Sequence, residues 1–232
     1  MTDSRSPRHL LPSPPPRYFP GVKPAALAAL ILLLLSPPLA AQAAPAVPVA
    51  PVPTEGLTGQ QVALMPLTLV AADPALESDS LYAPYRDRRT ALTWADSVIG
   101  EAFTGRAPEV QWVLPPKLRK LARRSPGLVN DPDQMGQAAL RAPKMREIHD
   151  PLRSSLRNLM AVVGGRVVMV PAALGFALLP DRRVHADLSL VAADTRSGKV
   201  LWRSQAAGSG ATPDAALHAA LASVLPIDPS GP

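Results

Sequence analysis

Beyond residue 43 the chain has three histidines, at positions 149, 185 and 218. His149 adjoins Asp150, with Ser154 and Ser155 close behind, and these are the residue types of a nucleophilic triad. That chemistry needs a serine on a strained elbow and a base oriented by a third group. The one Gly-Ser-Gly, Gly208-Ser209-Gly210, falls in what reads as a flexible run with no strand leading straight into a helix, so a hydrolase is set aside. His185 with Asp187 would supply half a metal site, and such a pair on a strand is expected to be solvated. Asp131-Pro132-Asp133 lacks the rest of the about six to eight oxygen ligands that calcium takes, and reads as a loop and helix cap. Gly198-Lys199 resembles the end of a phosphate loop, but no glycine stands five residues before it. Complete absence of cysteine excludes disulfides, thiolate metal sites, iron–sulfur clusters, a thiol nucleophile and a cysteine-linked lipid. The expectation is a chain without catalytic residues, cofactor or metal.

Charge carries more information. Residues 44–85 hold no basic and 4 acidic groups, residues 86–166 hold 15 and 8, and residues 167–232 hold 5 and 5. Within the middle block Lys117, Arg119, Lys120, Arg123 and Arg124 crowd into one short segment. On a helix, at about 100° per residue, positions 117, 120 and 124 share one stripe and 119 and 123 a neighbouring one, while Leu118 and Leu121 face inward. Such a face would meet anionic phospholipid, lipopolysaccharide phosphate or an acidic protein partner. The plainer reading is an ordinary solvated helix.

The first 43 residues read as an address. Arg5, Arg8, Arg17 and Lys23 precede an apolar run over 25–35, which Ser36-Pro37-Pro38 stops. A helix of that length rises only about 16 Å against a hydrocarbon core of about 30 Å, so it is too short to span. A basic start, a short apolar segment and Ala41-Gln42-Ala43 make a secretory signal peptide, with cleavage expected after Ala43 or, as the alternative, after Ala41. Its loss takes 4 basic and 1 acidic residue and lowers the net charge from +6 to +3. A nucleic-acid role then loses both its charge and its compartment. The protein is expected in the periplasm or at the envelope.

The remaining organisation follows from pattern. Residues 44–58 form a Pro/Ala-rich spacer, 59–226 one α/β domain, and 227–232 a disordered tail. Residues 61–70 make a nearly continuous apolar strand that Pro66 must end or bend. Residues 71–86 read as loop. Leu92, Ala95, Val98, Ile99, Ala102 and Phe103 line one helix face, which Gly105 ends. A second strand covers 110–114, a basic helix 117–124, a further helix 133–140, and another starts at Asp150-Pro151 and ends at Gly164-Gly165. Strands follow at 166–170, 184–191 and 199–203, and a last helix at 215–224 behind Thr212-Pro213. Asp194 and Gly198 bound a hairpin turn, with glycine free to take positive φ. Trp112 and Trp202 are expected as core anchors. The order βαβαααβββα predicts one mixed sheet of about five strands flanked by helices.

Four of these pieces stand in a familiar order: the Val-Ala-Leu-Met-Pro-Leu strand, the helix ending near Phe103, the 110–114 strand, and the hairpin Leu-Val-Ala-Ala-Asp-Thr-Arg-Ser-Gly-Lys-Val-Leu-Trp. Together they resemble the α/β domain shared by the TolB amino-terminal domain and the CsgG and FlgO groups of bacterial envelope proteins. The resemblance covers residues 59–225. It departs at Leu67, where an aromatic usually stands, at Arg196-Ser197 within the turn, and in lacking a lipobox cysteine. It implies an exported, non-catalytic envelope domain acting as an interaction or assembly module through envelope protein partners. The alternative is a small-ligand or lipid-binding protein with a pocket at the sheet's edge. One blade-like hairpin without repeats excludes a propeller.

Overall fold

Strand β1, Gln61–Leu64, has three fully buried side chains and stops just before Pro66, which has no N–H to offer a ladder. The computed structural model describes residues 49–226; the expected signal peptide and the tail at 227–232 lie outside them. Beyond Pro66 the apolar run resumes as β2, Val70–Ala72, so one expected strand is two. The stretch expected as loop is more ordered than its composition suggested. It holds the end of β2, helix α1 at Pro74–Ser78 and a 3-10 turn at Ser80–Tyr85. Asp73 accepts from the Leu76 N–H at 2.7 Å and Asp79 from the Leu81 N–H at 3.0 Å. Asp73 and Asp79 are caps and Pro74 a first-turn residue of short helices, while Pro84 lies inside the 3-10 turn.

Helix α2, Arg88–Arg106, starts on the Asp87 cap and buries the expected stripe, running one residue past Gly105. Strand β3 is Gln111–Val113 and helix α3 is Pro115–Arg124. No α-helix forms over 133–140. Gly136, at φ +78°, divides the stretch into 3-10 turns at Pro132–Gln134 and Gln137–Arg141. Helix α4, Leu152–Val163, takes its cap from Asp150, which accepts the Ser154 N–H at 3.0 Å, and ends at Gly164 with φ +92°. Pro151 therefore stands one place before the first helical turn rather than in it.

The carboxy-terminal third is a long meander of β4 (Val167–Leu178), β5 (Val184–Asp194) and β6 (Val200–Gly210), closed by helix α5 (Pro213–Val224). Each strand outruns its expected end. Pro171 does not stop β4, because it sits at a bulge where the register with β5 shifts and no ladder donor is required. The Gly208-Ser209-Gly210 run is strand, not loop. Its glycines let α5 lie directly on β6, since a Cβ at 208 would stand 2.2 Å from the Ala220 nitrogen.

The six strands form one mixed sheet, ordered β3-β1-β4-β5-β6, with β2 continuing the line of β1 along β4. β3, β1 and β2 run parallel to β4 or to each other, and β4, β5 and β6 are antiparallel. One core, under α2 and α5, gathers Leu64, Ile99, Phe103, Leu188 and Leu217. The other, under α3 and α4, gathers Met65, Leu118, Leu156, Val168 and Val191. The class is therefore α/β, with helices on both faces. The spacer is shorter than its composition predicted. Val52 is buried and donates its N–H to the Val224 carbonyl at 2.8 Å, and Leu57 is buried in a 3-10 turn, Thr54–Leu57. Two apolar side chains with room to bury outweigh the prolines around them.

Candidate interaction surface

Helix α3 begins at Pro115-Pro116, where missing N–H groups cost nothing, and is held down by Leu118 and Ala122, both buried, with Leu121 half-buried. Turning about 100° per residue, the opposite side centres on Lys120, with Lys117, Arg123 and Arg124 within about 60° of it. All four are exposed, and among the described residues none forms an ion pair with a carboxylate.

Arg119, expected on the same face, is not part of it. Its guanidinium turns aside to Asp96, at 2.6 Å, and to both oxygens of Asp133, at 2.7 and 2.8 Å. Asp96 lies on the inner side of α2 at 7% exposure and also accepts the Leu67 N–H at 2.8 Å. Burial pushes the Asp96 carboxyl above the usual carboxylate range, against the lowering effect of Leu67 and Arg119. Asp133 and then Asp96 hold the Arg119 guanidinium more firmly protonated than usual, against its partial burial. Gln137, fully buried, joins this knot by donating to the Pro66 and Pro132 carbonyls at 3.1 and 2.7 Å. The fifth cation thus binds α3 to α2, to the β1–β2 link and to the 3-10 turn. The signal for it in the sequence was Asp96, a carboxylate inside an otherwise apolar helix face, which demands a buried partner.

The hairpin turn is brought together as expected. One oxygen of Asp194 accepts the N–H groups of Arg196 and Ser197, at 2.8 and 3.2 Å, and the other accepts the Arg166 guanidinium, its Nε at 2.8 Å. Arg166 first, then those backbone donors, hold the Asp194 carboxyl far below the usual range although burial opposes them. Gly198 takes φ +79° and leaves space for the Arg153 side chain. Trp202 is half-buried against the first core, so its role is packing. Asp194 and Gly198 are a structural clasp.

The histidines resolve differently. His149 is exposed, and Ser154 beside it donates to Asp150 at 2.5 Å as part of a helix cap. His218 contacts Asp214 one turn away, at 3.3 Å. His185, however, meets both Asp187, with which the sequence paired it, and Ser209, which the sequence treated apart: its Nδ1 lies 2.9 Å from the Ser209 hydroxyl across the β5–β6 ladder, and its Nε2 lies 3.4 Å from Asp187. Ser209 sits on a regular strand, and the neighbours across the ladders, Ala177, Gly175 and Ala207, are too small to wall a cleft. These contacts fasten an imidazole across the sheet.

A cleft of about 710 Å³ opens near the carboxyl end of β1, where Leu67, Thr68, Arg88, Arg89, Arg119, Asp131 and Asp133 meet. The Thr68 hydroxyl is buried there without a hydrogen-bond partner.

These features define an α/β domain with a mixed sheet and a one-sided cationic helix. No family model matches the chain, and no curated protein matches it. Among solved structures it is similar to the C-terminal domain of LpoB from Salmonella enterica, at 12% identity over 70% of this chain and 86% of that one, with a TM-score of 0.37. Lipoprotein GNA1162 from Neisseria meningitidis aligns at 16% identity over 64% and 78%, with a TM-score of 0.29. The PelC dodecamer from Paraburkholderia phytofirmans aligns at 11% identity over 71% and 78%, with a TM-score of 0.31. At these scores the likeness is one of general outline.

Proposed function

We propose that this is an exported, non-catalytic protein of the cell envelope that works as an interaction or assembly module, of the kind that its opening strand and late hairpin resemble in the TolB amino-terminal, CsgG and FlgO groups. The observation that carries the reading is the outer face of α3: four cations without carboxylate partners on a helix pinned by a fifth. Fixed, unneutralised charge of one sign is a recognition surface for an anionic envelope component. Export rests on the basic, apolar and small-residue pattern of residues 1–43.

The test is crosslinking and pull-down of the tagged chain from its own envelope, beside a variant carrying Lys117→Gln, Lys120→Gln, Arg123→Gln and Arg124→Gln. The expected result is a small, reproducible set of envelope components that the variant no longer recovers. An identical set from both proteins, or no set at all, overturns the reading. Sequencing the recovered N-terminus checks cleavage after Ala43 against Ala41.

A second reading, a periplasmic small-ligand protein, is favoured by the cleft near the carboxyl end of β1, since open α/β sheets receive ligands beyond the carboxyl ends of their parallel strands. The buried Thr68 hydroxyl would then take a polar atom of the ligand. Native mass spectrometry of the purified protein decides it: a bound small molecule supports this reading and a bare mass opposes it.

A further inference from the structure

The α3 face continues into a feature of opposite character. Helix α3 ends at Arg124 with Ser125 as its cap, and the chain makes one more turn in which the N–H groups of Leu128 and Val129 both donate to the Ser125 carbonyl, at 3.2 and 3.1 Å. Gly127, at φ +79°, makes the bend. Val129 is buried beneath it, and Asn130 donates to the Ser155 hydroxyl on α4 at 2.8 Å. Leu128 is thereby held outward at 56% exposure, one of three large apolar side chains exposed among the described residues. Hydrogen-bonded backbone on both sides keeps a leucine in water four residues along the chain from the last of four unpaired cations.

We propose that this surface docks on an anionic lipid bilayer, with Lys117, Lys120, Arg123 and Arg124 at the headgroups and Leu128 in the interfacial layer. The proposal rests on the interaction reading above and names the partner of the same face. Three observations favour a bilayer over an acidic protein. The cations stand on the convex outer side of a single helix, which suits a flat, deformable sheet of negative charge. No carboxylate pairs with them: Asp96 and Asp133 are both taken by Arg119, and Asp131, which lines a hollow with Arg123, accepts the Asp133 N–H as cap of the following 3-10 turn. An exposed leucine four residues after Arg124 in the chain adds the apolar area that turns electrostatic adsorption into interfacial binding. The apolar side of α3 is committed to the core, so the helix rests on the membrane and does not enter it.

Each cation near an anionic surface contributes about fivefold in partitioning, and the attraction fades within a Debye length of about 10 Å at ordinary salt. The experiment is co-sedimentation of the exported protein with vesicles of phosphatidylglycerol and phosphatidylcholine in equal parts, beside vesicles of phosphatidylcholine alone. All variants carry the same N-terminus, so it contributes equally to every measurement. Binding to the anionic vesicles is expected to exceed binding to the neutral ones at least tenfold and to weaken with added salt. The four-glutamine variant, checked for unchanged circular dichroism, is expected to lose that preference. Leu128→Ser is expected to weaken binding several-fold while leaving its salt dependence in place. Equal binding to both vesicle types, or indifference to either variant, overturns the proposal. If the wild type ignores anionic vesicles while the pull-down yields a protein that needs the α3 cations, the bilayer is the wrong partner and the interaction reading stands.

Discussion

Arg119 and Asp96 meet at 2.6 Å, a surface helix joined to a buried carboxylate on its neighbour. Breaking such a pair from the cationic side leaves Asp96 charged and buried, which is costlier than losing a surface ion pair. Arg119→Met is therefore expected to destabilise the domain by about 3 kcal/mol in urea unfolding. Lys120→Met, one residue along on the outer face, is expected to change stability by no more than about 0.5 kcal/mol. Equal effects from the two substitutions contradict the division of the basic cluster described above.

The clasp at Asp194 has a pH signature. Its carboxyl titrates well below the ordinary value of 3.8 in the folded protein, so the folded state binds this proton more weakly than the unfolded chain does. Its contribution is complete above that ordinary value and is lost as the pH falls towards the lower, folded one. Asp194→Asn is expected to cost about 2 kcal/mol at neutral pH, and the gap to wild type is expected to narrow steadily below about pH 4. Denaturant unfolding of both proteins across that range measures it. A gap that persists undiminished in acid assigns the cost to turn geometry instead of charge.

Two glycines on different elements should respond in opposite directions. Gly208→Ala places a methyl group 2.2 Å from the backbone nitrogen of Ala220 and must push α5 off the sheet, at a cost expected to exceed about 2 kcal/mol. Gly105, within the last turn of α2, has nothing within 4 Å of its missing Cβ. Gly105→Ala is expected to stabilise by up to about 1 kcal/mol through helix propensity alone. Thermal unfolding distinguishes the two signs directly.

The buried end of the proline-rich tract makes a fourth test. Val52→Asp sets a charge where 5% of the residue is exposed and is expected to cost about 2 kcal/mol or more. Limited proteolysis is expected to leave 52–57 uncut in the wild type and to cleave there in the variant. Protection in both proteins argues against docking of this segment.

What the sequence disclosed and what it concealed divide along physical lines. The apolar stripe of α2, the break at Pro66 and the Asp194–Gly198 turn were legible because each depends on neighbours in the chain. The 3-10 turns at 132–141 were not, because Gly136 breaks a pattern that spacing alone reads as one helix. The 208–210 glycines misled for a related reason: they look like a flexible run until a close-lying helix gives them a purpose. The candidate face was legible in four of five residues. Arg119 differs from Lys120 only in what lies beside it, and no local pattern records the approach of Asp96. The contact between His185 and Ser209 was equally hidden, since it arises from the register of two strands longer than their periodic runs.

The sheet's pairing order also bears on how the chain closes if it crosses a membrane N-terminus first. β1 lies between β3 and β4, and its ladder to β4 joins Val62 to Val167, across most of the domain. The meander β4–β5–β6 with α5 is built from neighbours in sequence and can form by itself once it arrives, whereas pairings between distant segments form slowly. The first half to emerge must therefore wait, with one edge of β1 unpaired, for the last half to supply its partner. During that interval the apolar run around Pro66 is the segment most in need of a chaperone, and the speed of translocation, more than the stability of the finished fold, sets how long it stays uncovered.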